Sequence, residues 1–216
     1  MTRRSEPEFL VLHAVRLLGF GDSPLLAERA GTSHAEALRV LSEAERAGWV
    51  QYLAFADLAG WSLTDAGKAE NERRLAAERA DADREGVIES TYRRFLPLNA
   101  RLLRAVTDWQ IKPTEADRFA PNDHSDQAWD ERILAELTAL GRELALLTER
   151  LHAVLARFDG YAVRYASALD QAKGGRHQWI DSTDVNSCHR TWFQLHEDLI
   201  ATLGVDRGRE VPGSPA

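Results

Sequence analysis

Absences set the first limits on this chain of 216 residues. A single cysteine, Cys188, has no partner for an intramolecular disulfide and cannot build a thiolate zinc site, so a reducing, cytoplasmic setting is expected. No apolar stretch approaches the roughly 20 residues that span a bilayer, and residues 1–8 lack the apolar run of a signal peptide, so no membrane partner is expected. Phosphate-binding Walker loops, Gly-rich dinucleotide turns, Gly-x-Ser-x-Gly elbows and His-Glu-x-x-His pairs are all missing. His189 and His196 stand roughly 10 Å apart along a straight helix, too far to share one ion. Neither an enzyme, a cofactor nor a metal site is therefore expected. A basic surplus is missing too: 27 Lys and Arg face 34 Asp and Glu, for a net charge of -7. That argues against a protein coating nucleic acid indiscriminately, though not against a local basic face. Even residues 1–80 are mildly acidic, with ten basic and twelve acidic side chains.

What is present is helical patterning with one interruption. Phe9, Leu12, Val15 and their neighbours predict a first helix that stops at Gly19. Ser23 offers an N-cap before Pro24 and a short second helix. Gly31, Thr32 and Ser33 form a tight turn. Ser33 with Glu36 makes a capping box for a third helix bearing Ala37, Leu38, Leu41 and Ala44, with Gly48 at its end. Residues 49–55 are rich in β-branched and aromatic side chains, 56–60 can turn and 61–63 can return, which predicts a hairpin. Thr64 then caps a fourth helix. Three helices followed by a two-stranded wing is the winged helix-turn-helix order.

The runs Ala27-Glu28-Arg29-Ala30-Gly31-Thr32-Ser33, Ala47-Gly48-Trp49-Val50 and Leu63-Thr64-Asp65-Ala66-Gly67-Lys68 resemble MarR-type winged-helix transcriptional regulators. The stretch from Phe95 to Gln110 is similar to a helical tail found on actinobacterial proteins of this kind and on some phosphoenolpyruvate-utilising enzymes. The resemblance implies double-stranded DNA as a partner, read by Thr32, Ser33 and His34, with Arg29 and Arg39 on phosphates. Arg3 and Arg4 are expected to form an N-terminal arm. The wing departs from the family pattern, because residues 56–60 carry no Lys or Arg.

Two heptad seams follow. Ile88, Tyr92, Phe95, Asn99, Leu102, Val106 and Trp109 form one, with Asn99 as its polar member and Pro97 predicting a break near 93–97. Leu137, Leu140, Leu144, Leu147, Leu151, Val154 and Phe158 form the other, to pack within the chain or as a coiled coil across a homodimer. A last helix is expected over about 184–203. Asn99, Trp109, Trp129, Tyr165, Trp192 and His196 are candidates to line a site for a small hydrophobic effector, against the simpler reading of the aromatics as core.

The expected architecture is mainly α: a winged helix-turn-helix over 1–80, a helical dimerisation and ligand domain over 81–205, and a frayed tail over 206–216. The expected function is a DNA-binding transcriptional regulator acting as a homodimer. The alternative is a winged helix that no longer binds DNA and serves protein interaction or regulation.

Overall fold

The computed structural model describes residues 2–55 and 58–205. Ala56 and Asp57, within the expected turn, and the expected frayed tail over 206–216 lie outside the described residues. The chain is mainly helical with one two-stranded antiparallel sheet, in the order α1 (Pro7–Leu18), α2 (Ser23–Ala30), α3 (His34–Arg46), β1 (Val50–Phe55), β2 (Leu58–Leu63), α4 (Asp65–Ala82), α5 (Val87–Gln110), α6 (Gln127–Val154), α7 (Tyr161–Lys173) and α8 (Cys188–Leu203). Single 3-10 turns occupy Ala156–Phe158 and His177–Trp179. Three helices and then a hairpin are compatible with a winged helix.

Two compact units divide these elements. The first holds residues 2–85 together with 154–157 and 197–205, segments that the sequence pattern assigns to the helical domain. Its core joins Val11, Leu12 and Val15 of α1 to Leu26 of α2, Val40 and Leu41 of α3, and Val50 of β1. Local chemistry sets the boundaries. Asp22, rather than Ser23, caps α2 by accepting from the Leu25 amide at 2.9 Å, which leaves Ser23 as the first helical residue ahead of Pro24. Gly31 closes α2 in the left-handed conformation at φ +66°.

The hairpin pairs Val50 with Leu63 through Phe55 with Leu58. Thr64 ties it to α4: its hydroxyl accepts from the Gly67 amide at 3.0 Å and donates to the Gly48 carbonyl at 2.6 Å. Gly67 is required here because a Cβ would stand 1.8 Å from the Trp49 carbonyl oxygen.

The second unit holds residues 86–153 and 158–196. Gly86, at φ +69°, separates α4 from α5. The break expected at Pro97 does not occur, and α5 runs through it. Pro97 lies on the exposed side, so the carbonyl it deprives of a partner can turn to water. Gly160, at φ +82°, likewise ends any continuation of α6 into α7. Most of both seams is buried inside this chain: Ile88, Phe95 and Leu102 of the first are fully buried, and Leu137, Leu140, Leu144, Leu147 and Leu151 of the second are at most 1% exposed. Within the second seam Phe158 is buried as well and only Val154 is half-buried, so its leucines are covered without a partner subunit. Among the described residues, no helix is long and apolar enough to cross a membrane.

Candidate nucleic-acid interface

α3 buries Ala37, Val40, Leu41 and Ala44 and leaves His34, Ala35, Leu38, Arg39, Ser42 and Arg46 exposed. Only half of the expected capping box forms. The Ser33 hydroxyl accepts from the Glu36 amide at 3.2 Å, while the Glu36 carboxylate turns to Arg39. Thr32 is half-buried, and the His34 ring is hydrogen-bonded to the Ser23 hydroxyl at 2.9 Å.

The arginines expected to meet phosphate are mostly engaged within the protein. Arg39 is held by three carboxylates: Glu36 at 2.6 Å, Glu43 at 2.8 Å and Glu8 of α1 at 3.0 Å. Hydrogen bonds to those groups raise its already high pKa further. Arg3 pairs with Asp81, and its backbone bonds to Val154 and Ala156 at 3.0 and 2.9 Å, so it does not form a loose arm. Arg29 is half-buried and lies close enough to His13 and Asp198 to lower the pKa of both. Arg4 and Arg46 remain exposed, Arg46 with its Nε donating to the Ser42 carbonyl. The hairpin presents Tyr52, Phe55 and Leu58, all more than half exposed. Its described residues carry no cation.

The first unit also holds a buried ionic cluster that the sequence pattern did not reveal. His13 of α1 meets Asp198 of α8 at 3.1 Å and Asn71 of α4 at 3.4 Å. Arg157 binds Asp198, Glu78 at 2.9 Å and the Thr202 hydroxyl at 2.8 Å. Burial lowers the pKa of His13 and so favours the neutral ring. The Asn71 amide nitrogen is left without a hydrogen-bond partner. Turning that amide over lets the nitrogen donate to Nδ1 while Nε2–H donates to Asp198, an assignment that suits a neutral His13. The Arg157 charge and the hydrogen bond from His13 hold Asp198 well below the usual carboxylate range, against the opposing effect of burial.

In the helical unit the expected effector residues are distributed between two places. Trp192 stacks on Phe95 with ring centres 5.1 Å apart, packs near Tyr165 and donates its indole N–H to Asn99 at 3.1 Å. His196 lies against Tyr92 and Phe95, and the Tyr165 hydroxyl donates to the Leu137 carbonyl at 3.0 Å. These four residues fill a core. Trp109 and Trp129 stand elsewhere, near the end of α5 and the start of α6. Trp129 donates to the Asp108 carbonyl at 2.8 Å, and Asn122 donates to that of Trp109 at 3.1 Å.

Around Trp109 the 111–126 loop carries a second polar knot. His124 holds φ +58°, the one non-glycine residue with positive φ among those described. Its Nδ1 pairs with Asp130 at 2.8 Å, Asn122 donates to the same carboxylate at 2.9 Å, and the His124 ring lies 4.2 Å from that of His177. This knot fastens the loop to α6. Among the described residues no group of three or more His, Cys, Asp or Glu side chains could hold a metal ion.

No protein-family model, curated protein or solved structure matches the chain.

Proposed function

We propose that the protein is a transcriptional regulator whose N-terminal unit is a winged helix that docks on double-stranded DNA as one half of a homodimer. The observation that carries this reading is the exposed face of α3, following a helix-turn and preceding a hairpin. His34, Ala35, Leu38 and Ser42 are short enough to let the helix enter a major groove about 12 Å wide. Arg46 and Arg4 supply phosphate contacts, and Arg39 joins them only by exchanging carboxylate for phosphate. So few contacts make one subunit weak, and a second recognition helix supplies the missing affinity.

The test is fluorescence anisotropy with duplex DNA from the region upstream of the protein's own gene. Retention at low salt, a steep loss with added salt, and further loss in Arg46→Glu are expected. If the wild-type dimer does not retain that DNA at low salt, the reading fails.

A second reading is favoured by two observations: the three carboxylates around Arg39 and the apolar hairpin of Tyr52, Phe55 and Leu58. On this reading the winged helix contacts a protein. A partner recovered from lysate would be lost on Phe55→Asp and indifferent to Arg46→Glu.

A further inference from the structure

The face that α5 and α6 share contains a cleft with an unusual balance of charge. Arg101, Arg104, Ala105 and Asp108 lie on one side of α5, and Arg132, Ile133 and Glu136 face them from α6, around a volume of about 460 Å³. Ala105 and Ile133 are buried and give the cleft an apolar floor.

The three guanidinium groups are engaged to different extents. Arg101 is fixed by a fork to Glu136 at 2.8 and 3.1 Å. Arg132 sits over the Trp129 ring, 4.5 Å from its centre, and that ring is anchored through its indole N–H to the Asp108 carbonyl. Its contact with the Asp108 carboxylate is 3.5 Å, too long for a strong charge-assisted bond. Arg104 has no carboxylate partner within ion-pair distance among the described residues. Three cations thus face two lining carboxylates, one of which is loosely held.

We propose that this cleft binds a phosphate group, carried by a small phosphate monoester. A tetrahedral dianion offers three acceptor oxygens in different directions, which suits several guanidinium groups lining one cleft from two helices. A carboxylate has two coplanar oxygens and suits a single fork. On binding, Arg132 exchanges Asp108 for the dianion while keeping its place over Trp129, and Arg104, now near Glu136 without contact, gains a direct ion pair. The volume exceeds the needs of inorganic phosphate and lies in the range of small-metabolite sites. The inference stands on α5 and α6 alone and does not require α3 to read DNA.

Isothermal titration of the full chain with inorganic phosphate and with glycerol 3-phosphate, at ionic strength held constant with chloride, tests it. Both are expected to bind, the ester more tightly. Arg104→Ala and Arg132→Ala, both at exposed positions, should each weaken the ester about ten-fold. Arg132→Lys should not restore binding, because an ammonium supplies neither the planar fork nor the stack. Absence of binding by either ligand up to roughly 10 mM overturns the proposal, as does an unchanged affinity in the Arg104/Arg132 double variant. Tighter binding of inorganic phosphate than of the ester would reassign the site to the free ion and remove the monoester. A DNA duplex that binds through Arg104 and is not displaced by the ester would make this a nucleic-acid surface, and would equally overturn it.

Discussion

Arg157 and Asp198 form an ion pair whose side chains are only 3% and 1% exposed. Arg157 also serves Glu78 and Thr202, so its removal would take the shared guanidinium from two buried carboxylates, leaving Asp198 to the hydrogen bond from His13 and Glu78 to that from Ser5. Arg157→Met is expected to lower stability by about 3–5 kcal/mol in urea denaturation. Thr202→Val should cost less, about 1–3 kcal/mol, because it removes a hydroxyl and leaves the charges paired. If the two variants lose equally little, the cluster is not a keystone of the first unit.

The same cluster sets a pH dependence. His13 is packed against Asp198, Arg157, Arg29 and Asn71, and its pKa is lowered chiefly by burial; His189 is lowered for the same reason. The unfolded chain therefore binds protons below the ordinary histidine pKa that the folded chain resists binding. Stability should be full at pH 8 and fall as the pH drops through about 6.5. Asp198, with its pKa depressed, acts at lower pH: its contribution holds above the ordinary carboxylate range and declines below it. The urea midpoint measured between pH 8 and 5.5 should fall in the wild type and flatten in His13→Gln. An equal slope in both would refute the assignment to His13.

Gly67→Ala should disturb the hairpin more than Gly31→Ala. At Gly31 a Cβ meets open space, and only the left-handed backbone resists it, at about 1–2 kcal/mol. At Gly67 the new atom would strike the Trp49 carbonyl, and the start of α4 must move off β1. The expected cost is at the upper end of about 1–3 kcal/mol, accompanied by a change in Trp49 fluorescence. A reversed order of the two variants would argue against the close approach.

Leu144→Ala should destabilise the helical unit by about 2–5 kcal/mol without altering the sedimentation mass of the folded protein. Leu144 is fully buried by its own chain. A clean shift from dimer to folded monomer would show that the seam lies between subunits after all.

Cys188 should be inert. It is wholly buried, with its thiol donating weakly to the Tyr165 carbonyl at 3.8 Å, and burial pushes its pKa up to about 12. Native protein at pH 8 should not react with a thiol-directed disulfide reagent on the timescale of minutes, whereas denatured protein should react at once. Rapid reaction of the native thiol would contradict this packing.

Much of the local structure was legible because it is local. The Ser33 cap on Glu36, the Thr64 cap on Gly67 and the Gly31 stop all act within four residues, although Thr64 also reaches back to Gly48, and the periodic leucines of the second seam do lie inside. Asp22 displaced Ser23 as a cap because either side chain can reach the same amides. Pro97 failed to break α5 because its consequence depends on which side of the helix faces water. The leucine seam announced burial but could not say against what, since an intrachain helix and a second subunit demand the same pattern. The His13–Asp198 contact joins residues 185 apart and left no periodic trace. Arg39 is a different case: Glu36 and Glu43 were visible at helical spacing, and only Glu8 came from a distance.

The first unit is not contiguous along the chain, and that has a consequence for how it is made. His13, Asn71 and Glu78 leave the ribosome long before Arg157, Asp198 and Thr202, the groups that complete their pairing. Until then the nascent unit must keep these side chains hydrated, or bury them incompletely paired. A fragment cut near residue 85 would remain in that unfinished condition. The first unit thus reaches its final form only once the chain has been made through Thr202, and a product that terminates earlier lacks the groups that complete these buried pairs.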